Sequence, residues 1–342
     1  MQFPLAGAPH LPPTQRVDRI MRQVLYALLP GILAHWLVFG PGILFQIALA
    51  VGFALLFEWL MLRARQRPLR PFLSDYSVVV TAVLFALCVP PLSPWWIAAT
   101  GMLFAVVIAK QLYGGLGFNL FNPTMVGLAA VIIAFPIELS QWLAPRALNP
   151  TLPGFVDTAQ AILTGQTAHL DWDGITRATP LDLLRSGAMD QLRIPEIQQD
   201  PVFGRFGALG WDWIVLGYLA GGLWLWYRGV IRWQAPLGVI LTTLAVSSLL
   251  WLSGTDIHPS PALQLLAGSL VLAAFFIVTD PVSGSATPRG RLIFGIGVAL
   301  LTLAIRQWGG FPDGVAFAVL LMNMFVPLID RYTRPRVYGE KR

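Results

Sequence analysis

The sequence predicts an all-α integral membrane protein of about ten transmembrane helices, built as two inverted five-helix repeats. Three observations carry that reading: an apolar composition, the spacing of the apolar runs, and the side on which the basic residues gather. Of 342 residues, 56% are hydrophobic and only 12% are charged, whereas soluble domains carry roughly 25% charged residues. A bilayer core takes about 20 apolar residues per helix, fewer where a helix is broken or packed within protein. Candidate segments lie at about 23–40, 42–62, 76–92, 95–110, 121–143, 212–229, 235–253, 261–279, 291–306 and 314–330.

Taken in order, residues 1–143 form a first helical repeat. Arg16, Arg19 and Arg22 precede the first segment, which has no evident cleavage site and so reads as a membrane helix rather than a removable signal. Gly40-Pro41-Gly42 separates the first two segments, and Pro90-Pro91-Leu92-Ser93-Pro94 separates the third from the fourth. Residues 144–211 are a long polar loop, 212–330 a second helical repeat, and 331–342 a basic tail. With the N-terminus in the cytoplasm, 17 of the 23 Lys and Arg fall on that side, and only Arg146, Arg177, Arg185, Arg193, Arg205 and Arg306 on the other. The positive-inside rule therefore favours ten crossings of a bacterial inner membrane, both termini cytoplasmic and the 144–211 loop periplasmic. The formal net charge of +6 reflects these topological clusters, not a nucleic-acid surface.

The repeat is visible in two stretches. KQLYGGLGFNLFNPTMVGLAAV from residue 110 is echoed by RQWGGFPDGVAFAVLL from 306, and each follows a Pro-containing break, CVPPLSP at 88–94 and TDPVSGS at 279–285. Inverted repeats with short or broken helices at matching positions typify channels and transporters.

Several chemistries are excluded. Cys88 is the only cysteine and lies in an apolar run, so the chain makes no internal disulfide and cannot hold an iron–sulfur cluster alone. His10, His35, His169 and His258 have no metal-ligand spacing, and no HExxH, Walker loop or dinucleotide GxGxxG is present. Glu58, Asp75, Lys110, Glu138, Arg306 and Asp330 all fall near expected helix ends, leaving few charged stepping stones at mid-bilayer.

Within the long loop, DGITRATPLDLL (173–184) reads first as a helix start. Thr179 takes the N-cap, Pro180 the first helical position, and Asp182 the first turn, where it complements the helix dipole. A helix N-terminus is also an anion site, so a phosphate on Thr179 is compatible with the cap.

The order Asp173, Thr176, Ala178, Thr179 resembles the flavinylation motif Asp-x-x-Ser/Thr-Gly-Ala-Thr. That motif occurs in the family of the membrane-embedded B subunit of the sodium-pumping NADH:quinone reductase and the D subunit of the Rnf electron-transport complex. GGLGFNLFNPTMVG (114–127) and TDPVSGSATPRGR (279–291) resemble two further signatures of that family, and the chain length is similar to the Rnf D side of it. The resemblance implies a urea-channel-like fold of two inverted repeats and FMN bound covalently to Thr179 by a phosphoester, placed there from FAD by a flavin transferase. It implies partner subunits of an Rnf-type complex, electron flow from NADH or ferredoxin, and coupling to Na+ or H+ transport; it implies no catalysis by the chain alone. It also implies a second, non-covalent flavin (riboflavin), expected around Gly114, Gly115, Asn119 and Asn122. Arg177 departs from the motif, which has Gly there; a cation at that point can pair with the FMN phosphate or weaken recognition.

Three alternatives stay open on the residues alone. Thr287, in a second Ala-Thr-Pro, lies seven residues after Asp280, whereas Thr179 lies six after Asp173, and the charge map puts Thr287 on the cytoplasmic side. The Asn residues of FNP can equally satisfy backbone freed by Pro123. An inverted-repeat solute channel of the urea or ammonium kind, with Thr179 a plain cap, shares the repeat but not the motifs.

Overall fold

The computed structural model describes residues 16–165, 172–204 and 207–335, with the backbone alone at Trp172 and Asp173. Helices α1 (Val17–Phe39) and α2 (Gly42–Ala64) are followed by the short α3 (Leu69–Leu73), α4 (Ser77–Ala86) and α5 (Trp95–Met102), which continues as a π-helix over Leu103–Gln111. After a glycine-rich loop come α6 (Pro123–Ala134), α7 (Pro136–Ser140) and strand β1 (Trp142–Leu143). The polar loop contains α8 (Phe155–Thr164), α9 (Trp172–Ile175), strand β2 (Thr176–Arg177), α10 (Pro180–Met189) and α11 (Ile194–Ile197). The remaining helices are α12 (Trp211–Tyr227), α13 (Gln234–Ser253), α14 (Pro261–Leu266), α15 (Leu270–Leu272, continued as a π-helix over Ala273–Ile277), α16 (Pro288–Trp308) and α17 (Val315–Thr333).

The chain is thus helical and of multi-pass membrane character. Among the described residues, six helical stretches are long and apolar enough to cross a membrane: Val17–Phe39, Gly42–Ala64, Leu69–Ala86, Gln234–Ser253, Pro288–Trp308 and Val315–Thr333. The other expected segments are shorter or interrupted, for local reasons. The 121–143 stretch is divided at Phe135, because Pro136 has no N–H to continue the ladder of α6. The 261–279 stretch is interrupted at Ala267, Gly268 and Ser269, where Gly268 takes a φ of +76° that only glycine adopts without strain. Lipid-facing side chains such as Leu29, Leu60, Trp226 and Leu252 are exposed and apolar.

Small residues set the closest helix contacts. In α12, a Cβ on Gly221 would lie 1.8 Å from the Ala27 carbonyl oxygen, and one on Gly217 would lie 2.8 Å from Gly31 Cα. The α1–α12 seam is therefore backbone against backbone, the small-xxx-small contact of membrane helices. The α13–α16 seam is alike: a Cβ on Gly295 would meet the Ala235 carbonyl oxygen at 2.4 Å.

Buried charges lie beside the helix breaks. Lys110 Nζ donates to Glu58 Oε1 at 2.9 Å and to Ser77 Oγ at 3.0 Å. Arg306 donates to Asp313, the Gln264 and Ala267 carbonyls and the Gln264 side chain, while Asp313 accepts from the N–H and hydroxyl of Ser269. Lys110 and Arg306, paired by the sequence echo, thus each close the start of a short helix at a serine: Lys110 directly at Ser77, the first residue of α4, and Arg306 through Asp313 at Ser269, just before α15.

Candidate functional site

The polar loop is tied to the helices by a two-residue antiparallel ladder. Trp142 pairs with Arg177 and Leu143 with Thr176, and Ala144 N–H donates to the Ile175 carbonyl. This ladder brings the Thr179 motif against the end of the first group of helices. Thr179 then leaves the strand in an extended conformation and caps α10. Its Oγ1 accepts from Asp182 N–H at 3.2 Å, and Asp182 Oδ2 accepts from Thr179 N–H at 3.2 Å and from the Thr179 hydroxyl at 2.6 Å. The expected cap is therefore a reciprocal capping box.

That helix end opens into a cavity of about 280 Å³. Thr179, Pro180, Leu181, Asp182 and Arg185 form one wall; Leu128 and Ile132 of α6 face Gly268, Ser269 and Leu272 of the second group of helices; Leu87 and Cys88 follow α4; Trp142, Trp211, Phe311 and Asp313 are also in the lining. Trp142 and Trp211 have ring centroids 4.8 Å apart, and Phe39 and His35 pack behind them. The lining is mainly apolar and aromatic, with the hydroxyl residues Ser140, Thr179 and Ser269, two carboxylates and one guanidinium among it.

Electrostatics distinguish the two acids. Burial raises the Asp182 carboxyl above its ordinary value, against the hydrogen bonds from Thr179 and the charge of Arg185. Burial acts on Asp313 in the same direction, but Arg306 and the Ser269 donors outweigh it and hold the carboxyl below its ordinary 3.8. A carboxyl depressed in the folded state contributes stability above its unfolded pKa and loses it as pH falls through the folded value. Thermal unfolding in detergent should therefore show acid loss setting in below about pH 4, and Asp313→Asn should flatten that limb while lowering the melting temperature at neutral pH. Unchanged acid behaviour in the variant would show that Asp313 does not drive it.

The other expected site residues fall in distinct places. Arg177 turns away from Thr179: its Nη2 contacts both Asp200 oxygens, at 2.9 and 2.8 Å, so its charge is already engaged. Ala178 is exposed, Thr176 is in the ladder, and the Asp173 side chain lies outside the described residues. Gly114, Gly115 and Gly117 all have positive φ. Asn119 donates to the Phe121 carbonyl, and Asn122 caps α6, accepting from Met125 N–H while its own N–H donates to Asn323 Oδ1. These Asn side chains thus satisfy local backbone. The glycine segment stands at the far end of α6 from Ile132, and the structure does not bring it to the cavity.

Thr287 caps α16, accepting from Gly290 N–H and sharing a hydrogen bond with Thr333 at the end of α17. The Thr179 cavity touches Val315 at the start of α17. The two threonines therefore sit at opposite ends of a 19-residue helix, about 28 Å long. Sequence reasoning missed Arg185, the aromatic pair Trp142 and Trp211, and Asp313; only Arg185 had a local signal, as the sole Lys or Arg in α10.

Comparison with known proteins agrees over nearly the full length. Residues 5–339 match the model of the NQR2, RnfD, RnfE family. The chain is 47% identical over 350 residues to the D subunit of the ion-translocating oxidoreductase complex of Cronobacter sakazakii, and 46% identical over 351 residues to that of Escherichia coli O127:H6, with all of each chain covered. A relative of the same description from Shigella boydii serotype 18 is likewise 46% identical over 351 residues. On the match of its whole length and on these relatives, the chain belongs to the NQR2, RnfD, RnfE family.

Proposed function

We propose that this chain is the flavin-carrying membrane subunit of an ion-translocating oxidoreductase complex, with FMN held by a phosphoester on Thr179. The observation that carries the proposal is the Thr179 hydroxyl standing at a helix N-terminus on the wall of an aromatic-lined cavity. The relatives' description as the D subunit of such a complex supports other membrane and peripheral subunits as electron partners, with lipid around the helices. Bound FMN supplies reversible electron transfer, and the protein supplies position and electrostatics.

The chain's own residues fit that group. The β1–β2 ladder and the capping box present the hydroxyl, and the N-terminus of α10 favours the phosphate. During loading by a flavin transferase, Thr179 Oγ1 bonds to the flavin-side phosphorus of FAD, AMP leaves, and the hydroxyl proton passes to a base. Asp182 Oδ2, at 2.6 Å, is placed to receive it, and a carboxylate raised by burial is the better base. Trp142, Trp211 and Phe311 offer the ring apolar faces from which water is excluded.

The same reading takes the fold as two inverted halves, 1–143 and 212–330, making ten crossings of a bacterial inner membrane, with 144–211 periplasmic and the termini, including the 331–342 tail, cytoplasmic. The matched closures Lys110–Ser77 and Arg306–Asp313–Ser269 support the inverted relation. Electron transfer is coupled to Na+ or H+ movement, and a second flavin, riboflavin, binds at the bare backbone of Gly114 and Gly115 near Asn119 and Asn122.

The test is flavin fluorescence in a denaturing gel after co-expression with a flavin transferase. Wild type and Thr287→Val should fluoresce, and Thr179→Val should not. A dark wild-type band beside a working flavinylated control would overturn the reading in favour of a solute channel.

A further inference from the structure

The cavity beside Thr179 holds a cation with no hydrogen-bond partner among the described residues. Arg185 lies on α10 three residues after Asp182, and so on the same face, and it lines the cavity. Its Nε is buried and unpaired, and Arg185 makes no hydrogen bond or ion pair with a described residue. The other arginines nearby are spoken for: Arg306 by Asp313, Gln264 and Ala267, and Arg177 by Asp200. Asp182 is near enough to feel the Arg185 charge but makes no hydrogen bond or ion pair with it, and its Oδ2 is taken by the N–H and hydroxyl of Thr179. Leaving a buried donor of a charged group unsatisfied is costly, so the arrangement calls for an acceptor entering the cavity.

The rest of the wall defines that acceptor. Trp142, Trp211, Phe311, Leu128 and Ile132 suit a flat, apolar body, and one guanidinium suits one electron-rich edge on it. The phosphate is anchored at Thr179, six residues and roughly 9 Å of helix axis before Arg185. The titratable and charged groups around the cavity are Asp182 and Arg185 on α10, Asp313 before α17 and Cys88 after α4, and Asp313 is neutralised by Arg306.

We propose that Arg185 is the electrostatic partner of the flavin ring carried on Thr179, binding its N1–C2=O edge and holding the reduced ring as an anion. The inference rests on the reading of Thr179 as the FMN site. Two-electron reduction of a flavin by the complex's electron donor puts one proton on N5 and a negative charge on N1–C2=O. A cation at that edge replaces the second proton, favours the reduced form and raises the midpoint potential. Arg185 acts here as a positioning and electrostatic residue with no proton of its own to transfer.

The experiment uses the full chain, co-expressed with a flavin transferase and purified in detergent, as wild type, Arg185→Leu and Arg185→Lys. Denaturing-gel fluorescence first establishes covalent flavin in each, and visible spectra are then recorded at poised potentials between pH 6 and 9. Arg185→Leu should shift the oxidised-to-reduced ratio at a fixed potential about tenfold towards oxidised, a fall of about 30 mV for a two-electron couple. Its midpoint should change by about 59 mV per pH unit at the acidic end, where wild type keeps the one-proton slope of about 30 mV. Arg185→Lys should recover most of the midpoint. Attached flavin with unchanged midpoint and slope in Arg185→Leu overturns the proposal, as does loss of attachment in that variant, which would assign Arg185 to the phosphate or the loading step. Absence of covalent flavin in wild type would instead sink the Thr179 reading, and this proposal with it.

Discussion

Lys110→Met is expected to destabilise the protein by about 3–5 kcal/mol, the usual cost of leaving one member of a buried ion pair alone. The Lys110 and Glu58 side chains are only 3% and 1% exposed, between helices of a multi-pass membrane protein. Removing the ammonium leaves the Glu58 carboxylate in a low-dielectric interior, and its Oε2 already has no hydrogen-bond partner among the described residues. Ser77 would also lose the donor that closes the start of α4. The double change Lys110→Met with Glu58→Leu removes both charges, and apolar replacement of a buried pair is often neutral or stabilising. Melting in detergent, followed by intrinsic Trp fluorescence, should therefore show a large fall for the single variant and recovery for the double. A single variant that melts like wild type would mean that water reaches this pair.

Gly221→Leu is expected to separate α1 from α12 and to cost about 3 kcal/mol or more, at or beyond the upper end for overpacking. The first atom of any side chain there would lie 1.8 Å from the Ala27 carbonyl oxygen, and that atom is backbone, so no rotamer change relieves the clash. One helix must retreat, and the Gly217–Gly31 approach is lost with it. Gly52→Ala in α2 is the matched control. Nothing lies within 4 Å of its added Cβ, so relief of helix-interior glycine should stabilise by up to about 1 kcal/mol. Equal melting temperatures for Gly221→Leu and wild type would refute the close seam. Because α1 and α12 belong to different halves of the chain, such a result would also remove the main joint between them.

Much of the fold was legible because lipid and backbone chemistry leave strong marks on composition. Apolar runs located the helices, and Pro136 and Gly268 show why two of those runs are interrupted. The Thr179 cap was readable from four consecutive residues, since Ncap, Pro at the first position and Asp at the third interact locally. Arg177 was not readable: its partner Asp200 is 23 residues away, and nothing local tells a cation which carboxylate it will meet. The Asn side chains at 119 and 122 were readable only as a choice, and the structure shows both serving nearby backbone, while the Asn122 N–H donates to the Asn323 side chain on α17.

The sequence by itself determined the helical membrane class, the cap at Thr179 and the family motifs, because each depends on composition or on residues a few positions apart. Tertiary structure alone decided that Thr179 opens into a cavity, that Trp142, Trp211 and Asp313 share its wall, and that Arg185 meets it with no hydrogen-bond partner among the described residues. It also decided that Thr287 stands at the opposite end of α17. Those relations join segments far apart in the chain, and they follow from which helices can approach backbone to backbone and which buried charges must find a partner.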